Sequence, residues 1–347
     1  MKKILANIIC FMILISMSGC TVIKKDLSPA IWMGPNNMYN MLKYDTSEYE
    51  QTFSQIDDFH FFIGNIAPSS NPDIEQMQQV AKILNNYDFD LSLETGGIYN
   101  HDWGDNCGEQ SAAVDIAAIH NWYANGGRKI TNIFMDEPIG RVTTPLGAGW
   151  GSGDHYFSYE KAGEELADYL TAMYAEFGEM NFYIGSNFPH WGWKSKPACL
   201  GSKENPLGRG DWYEALTTVL DVLKRRNVKI AGLIIDNPYD YTWKSDGSDY
   251  ILTLFDVERF AHENNLKFNL IINTEAEGTA FEEYTLLYLE EYLARGGRPD
   301  SFIVESWYVW GPDFGPEILT SSRQVAITAT TLKVINYCKD FFQINIK

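Results

Sequence analysis

Eight short β-rich runs, separated by amphipathic segments, constrain this chain more than any other feature. The runs are AIWMGPN (30–36), HFFIGNIAP (60–68), FDLSLETGG (89–97), KITNIFMDEP (129–138), MNFYIGSNFP (180–189), KIAGLIIDNP (229–238), KFNLIINTE (267–275) and SFIVESWYVW (301–310). Most are apolar at odd and even positions alike, as parallel strands covered on both faces are. Between them, residues 71–87, 158–178, 211–227, 251–265, 281–297 and 321–342 carry helical periodicity. Pro72 lies near the start of the first of these, and Ser158 and Gly178 bracket the second as cap and stop. A further helix near 46–58 has the weakest pattern. The stretch after the third run, IYNHDWGDNCGEQ, reads as a loop. Regular eightfold alternation predicts an α/β fold, a (β/α)8 TIM barrel in one domain over residues 30–347. An apolar content of 45% can fill a core of that size. A doubly wound open sheet is the alternative, but no G-x-G-x-x-G follows the first run.

The chain opens MKKILANIICFMILISMSGC. A basic start, an apolar stretch to about Met17 and small residues before a cysteine make a secretory signal, too short for a stable membrane span. Its end resembles a bacterial lipobox, with Met17 where that pattern usually has Leu. The resemblance implies cleavage before Cys20, lipidation of Cys20, and an exported, membrane-anchored protein, periplasmic or at the cell surface. Residues 1–20 are then the signal and 21–29 a tether. Cys107, Cys199 and Cys338 remain in the mature chain, and their spacing fits no zinc pattern. Cys107 and Cys199 fall in polar, loop-like stretches, so a disulfide between them and three unpaired thiols both stay open. The formal charge is −19, and losing Lys2 and Lys3 takes it to −21. So acidic a chain is not expected to bind nucleic acid or other anionic polymers.

Barrel enzymes work at the carboxyl ends of their strands. Here those ends read Asn36, Asn65, Glu94, Asp136-Glu137, Ser186-Asn187, Asp236-Asn237, Asn273 with Glu275, and Glu305. One carboxylate at a strand end often caps a helix or holds a loop amide. Carboxylates at five ends are harder to dismiss, because buried charge is costly unless partnered or useful. The loops beyond are long and aromatic, with Trp103, Trp150, Trp191, Trp193, Trp243, Trp307 and Trp310 on or past the strand ends. Flat rings beside carboxylates, amides and tyrosine hydroxyls suit a sugar, although about half of those tryptophans are expected only to pin loops. Trp103, Trp191, Trp307, Tyr239, Asn187, Asn237, Glu94, Glu305, His101 and His190 are the candidate substrate-binding residues. His60 starts its strand and reads as structural.

Paired carboxylates at a barrel mouth are the equipment of glycoside hydrolysis. On these residues the chain resembles the retaining (β/α)8 glycoside hydrolases, which carry an acid Glu at the end of strand four and a nucleophilic Glu at the end of strand seven. That resemblance implies Glu137 as acid/base and Glu275 as nucleophile, with Glu277 competing for the second role. Asp136 departs from the Asn that usually precedes the acid. A second resemblance, to α-glycoside-cleaving barrels, implies Asp136 as nucleophile and Asp236 as acid. The expected activity is cleavage of an oligo- or polysaccharide without a cofactor. Two other readings stay open: a non-catalytic carbohydrate-binding lipoprotein and a metal-assisted hydrolase or lyase. For the latter, Glu94, Asp136, Asp236 and Glu305 could hold Mg²⁺ or Ca²⁺ through oxygen, but no H-x-H or H-E-x-x-H is present. Neither a metal nor an oligomeric state is assigned.

Overall fold

In a computed structural model, residues 28–99, 101–144, 156–243, 249–306, 312–317 and 325–344 are described, the side chains of 101–103 and 343–344 excepted. Eight parallel strands close into a barrel in chain order. They are β1 (Ala30–Gly34), β2 (Asp58–Phe62), β3 (Asp90–Thr95), β4 (Asn132–Met135), β5 (Asn181–Asn187), β6 (Gly232–Asp236), β7 (Lys267–Ile271) and β8 (Ser301–Glu305). The helices that follow are α1 (Glu50–Phe53), α2 (Ile74–Leu84), α3 (Cys107–Ala124), α4 (Tyr159–Phe177), α5 (Trp212–Arg225), α6 (Ile251–Glu263), α7 (Thr279–Ala294) and α8 (Ile327–Ile344). The strands are shorter than their apolar runs, and the remainder of each run is the loop that leaves the barrel. The expected helix near 46–58 is only two short turns, Thr46–Glu48 and Glu50–Phe53, and β2 begins at Asp58 rather than His60.

Capping residues fix the helix starts. Asp73 accepts from the Gln76 amide, Ser158 from Lys161 and Asp211 from Tyr213, each satisfying an otherwise orphaned N–H. Gly178 ends α4 at φ 71°, a left-handed value that suits glycine. The first turn of helix α3, residues 107–110, falls in the stretch that reads as a loop. Its start carries no side-chain cap of its own; Glu165 of α4 reaches across and accepts from the Gly108 amide at 2.9 Å. This also corrects the reading of Cys107, which is the buried first residue of α3 and sits beside Glu165. Cys199 points its thiol at the Tyr241 carbonyl, 3.3 Å away, and Cys107, Cys199 and Cys338 form no disulfide with one another. The disulfide option is therefore excluded.

Residues alternate between two buried environments, which explains why the runs are apolar throughout. Outward positions such as Met33, Phe61, Leu93, Ile133, Ile184, Ile235, Leu270 and Val304 pack under the helices. Inward positions form layers. Trp32, Phe134, Tyr183, Ile234, Ile271 and Ile303 make the apolar middle, with Trp32 edge-on to Tyr183 at 5.6 Å. Below it lies a polar floor in which Asn132 donates to Asp58 (2.6 Å), Asn181 to Asn132 (2.9 Å) and Ser301 to Asn269 (2.6 Å). The next inward positions above the middle layer include His60, Glu94, Asp136, Asp236, Asn273 and Glu305, and on β5 Asn187 follows one step beyond Gly185. Period-two geometry thus delivers them to one end of the barrel.

Candidate active site at the barrel mouth

A cavity of about 450 Å³ opens at the carboxyl ends of the strands. Phe62, Ile63, Glu94, Thr95, Gly96, Tyr99, Asp136, Arg141, Asn187 and Asp236 line it. A hollow of similar size, about 490 Å³, lies at the opposite end, lined by residues such as Asp221, Lys224, Asn227 and Glu263. It collects none of the inward strand-end carboxylates.

Asp136 and Asp236 face this cavity in different electrostatic settings. Asp136 directly follows β4, and the one-turn helix Gly140–Thr143 returns Arg141 onto it. The guanidinium meets Asp136 Oδ2 at 2.5 Å, while Arg141 Nε donates to the Asp136 carbonyl at 2.7 Å. Asp236, the last residue of β6, has no such cation among the described residues. It accepts one hydrogen bond, from Asn273 at 3.2 Å. Burial, reinforced by the charges of Glu305 and Asp136, holds its carboxyl well above the usual carboxylate range.

Glu137 has the same neighbours in sequence but another fate. Its backbone is left-handed, φ 51°, a costly conformation for a residue with a side chain. The twist turns the carboxylate away from the cavity and behind the β5 loop. There it accepts from the Asn187 amide (2.5 Å) and the Trp191 indole (3.2 and 3.3 Å), and pairs with Arg209 (3.1 Å). A Cβ on Gly140 would stand 2.2 Å from Glu137 Oε2, so the glycine makes room for it. Burial raises the Glu137 carboxyl to about 7 despite Arg209.

The structure does not bring Glu275 to the cavity. β7 ends at Ile271, its next inward residue is Asn273, and Glu275 lies exposed farther on, accepting from the Tyr241 hydroxyl at 2.7 Å. Glu277 is exposed as well. Trp191, expected as a sugar platform, is fully buried against Glu137. Trp193 is equally buried beside Trp212 and Phe260, so both pin the β5 loop. Tyr239 packs on Tyr284 and Tyr288, with its hydroxyl on Glu291, and Asn237 is buried beneath it. His190 is half-buried; burial and Arg209 lower its imidazole to about 4. Asn187 and Glu94 do line the cavity. Trp307 and Cys20 lie outside the described residues, as do the side chains of His101 and Trp103.

Several residues at this end were missed. Arg141 and Tyr99 are loop residues whose return to the mouth depends on tertiary packing. His60 is the instructive case: by strand alternation it points inward, and it meets two carboxylates. Its Nε2 is 3.0 Å from Glu94 Oε2 and 3.4 Å from Glu305 Oε1, and all three side chains are buried. Burial alone would lower the His60 imidazole, but the charges of Glu305 and Glu94 overcome it and hold it near about 10. Glu94 is raised well above its ordinary value by burial, with His60 opposing.

No family model matches the chain, and no curated protein does. Among solved structures, D-psicose 3-epimerase from Clostridium cellulolyticum H10 is similar at 12% identity over 91% of this chain and 98% of that one, with a TM-score of 0.45. A truncated 3-deoxy-D-arabino-heptulosonate 7-phosphate synthase from Thermotoga maritima gives 8%, 91%, 87% and 0.43. SacUVDE gives 9%, 90%, 98% and 0.43. Likeness at this level carries no statement about activity; the closed strand order itself makes this chain a (β/α)8 barrel.

Proposed function

We propose that this barrel is a glycoside hydrolase whose working pair is Asp136 and Asp236. The observation that carries the reading is that the two carboxyls line one cavity in opposed settings, one against a guanidinium and one without a cation and held up in pKa. A carboxyl set against a guanidinium and a second one held up in pKa can serve as nucleophile and proton donor in one site. Asp136 attacks the anomeric carbon as Asp236 protonates the departing glycosidic oxygen, leaving a glycosyl ester on Asp136. Asp236, now a carboxylate, takes a proton from water; the resulting hydroxide equivalent displaces Asp136 and releases the sugar. The strand-four/strand-six pattern brings with it an α-glycoside as substrate class. Asn187 stands at the same cavity to meet sugar hydroxyls, and the Tyr99 ring forms part of its wall. The proposal also holds the enzyme at a membrane through lipid on Cys20, on the strength of the leader sequence; loss of membrane fractionation in Cys20→Ala tests that part.

The pair is tested on aryl and natural α-glycosides with Asp136→Asn and Asp236→Asn. Asp136→Asn is expected to abolish turnover on both. Asp236→Asn is expected to cost about 10²–10⁴-fold on natural substrates, and far less on aryl glycosides whose leaving group needs no proton. Wild-type turnover of natural substrates should fall as pH rises through the elevated pKa of Asp236. Undiminished turnover in both variants would overturn the assignment.

A further inference from the structure

Beyond the hydrolytic pair, the barrel end contains a second constellation that the reaction above does not use. We infer that His60, Glu94 and Glu305 form a binding site for one first-row divalent cation of the Mn²⁺ or Zn²⁺ type.

The geometry comes first. Two donors bonded to one cation at about 2.1 Å, at angles of about 90–110°, stand about 3.0–3.4 Å apart. The separations of His60 Nε2 from Glu94 Oε2 and Glu305 Oε1 are 3.0 and 3.4 Å. All three donor atoms lie within 4.8 Å of one another. Gly34 keeps the space clear, since a Cβ there would meet the His60 ring at 3.0 Å and Glu305 Cγ at 3.3 Å.

An independent observation is Glu305. It is fully buried, and outside the cluster with His60 and Glu94 neither of its carboxylate oxygens has a hydrogen-bond partner among the described residues. A buried carboxylate without hydrogen bonds is costly, and a cation is one of the few things that removes the cost. Charge bookkeeping points the same way. Arg141 serves Asp136 and Arg209 serves Glu137. That leaves Glu94 and Glu305 with His60 alone among the described residues.

The donor set selects the ion. One imidazole favours Mn²⁺ or Zn²⁺ over Mg²⁺ or Ca²⁺, which prefer all-oxygen sites. Three protein ligands with one of them, Glu94, on the open cavity leave positions for water or substrate and a route of entry. His60 is held by packing against Phe62 and Phe134, not by a bond to its other ring nitrogen.

The site does not rest on the hydrolase reading, and its test needs no substrate. Full-length protein is stripped with chelator, returned to Mn²⁺ or Zn²⁺, desalted and assayed for bound metal, with titration calorimetry for affinity. One ion per chain is expected. Glu305→Gln and Glu94→Gln should each weaken binding by more than about 100-fold, beyond the loss of an outer-shell partner, with circular dichroism unchanged. If one variant fails to fold, the other carries the test. No saturable uptake of either ion, or uptake indifferent to both substitutions, would overturn the inference.

Discussion

Asp136 and Glu137 are neighbours whose side chains face different ways, and the reason is one backbone dihedral. In β4, Asn132, Phe134 and Asp136 alternate inward, so Asp136 inherits the cavity. Glu137 leaves the strand at φ 51° and becomes a strut under Trp191 and Arg209. Two substitutions separate strut from catalyst. Glu275→Gln is expected to keep near-wild-type turnover, because that side chain is exposed outside the cavity. Glu137→Gln puts an amide where three donors converge, and breaking a buried ion pair costs about 3–5 kcal/mol. Its loss should appear first as a fall in Tm, with turnover declining alongside it. Turnover abolished in a Glu275→Gln protein of unchanged Tm would return the nucleophile to strand seven. This is also where sequence reading had its limit. Counting by twos along each strand leads to Glu94, Asp136, Asp236 and Glu305. Family analogy leads instead to Glu137 and Glu275. The dihedral at 137 and the end of β7 at Ile271 set which of these side chains face the cavity, and neither has a local signature.

Strands and most helices were legible because burial writes a period into them, and capping residues mark their starts. Helix α3 was not, and the cause is structural. Its buried face carries Gly108, Ser111 and Asp115 beside Ala112, Ile119 and Trp122, while Val114 on another face is exposed, so its sequence lacks a clean amphipathic stripe. Its start is completed by Glu165, 57 residues away, whose other oxygen is held by Lys161 at 2.7 Å. The two helices approach so closely at Gly108 that a Cβ there would lie 2.0 Å from the Glu165 carbonyl oxygen. On an exposed helix, Gly→Ala stabilises by up to about 1 kcal/mol. Here overpacking against backbone, typically about 1–3 kcal/mol, outweighs that gain. Gly108→Ala is therefore expected to lower stability by about 1–2 kcal/mol in denaturant titration. A stabilised variant would mean that α3 and α4 are not in backbone contact at this point.

At the scale of the whole barrel, the buried acids give stability a pH dependence with a definite sign. Asp115 lies under the cavity wall, where the Tyr169 hydroxyl donates to it at 2.6 Å and Tyr99 bonds its other oxygen. Burial still raises it from 3.8 to about 7, and burial raises Glu137 from 4.5 to about 7. A carboxyl whose folded pKa is raised binds its proton more tightly in the folded state. Its contribution is complete below the unfolded value and is lost as pH rises through the folded one. For these two groups the window runs from about 4 to about 7. Each pKa unit corresponds to about 1.4 kcal/mol, so the change across the window is of order a few kcal/mol. The formal charge of −19 acts in the same direction, because self-repulsion grows as the acids ionise. Tm is expected to be lower at pH 8 than at pH 5 by at least about 5 °C. Asp115→Asn, which keeps one acceptor for the tyrosines, should flatten part of that slope. A Tm that rises towards pH 8 would mean that these acids are ionised in the folded barrel, with Arg209 and the hydrogen-bond donors around them outweighing burial.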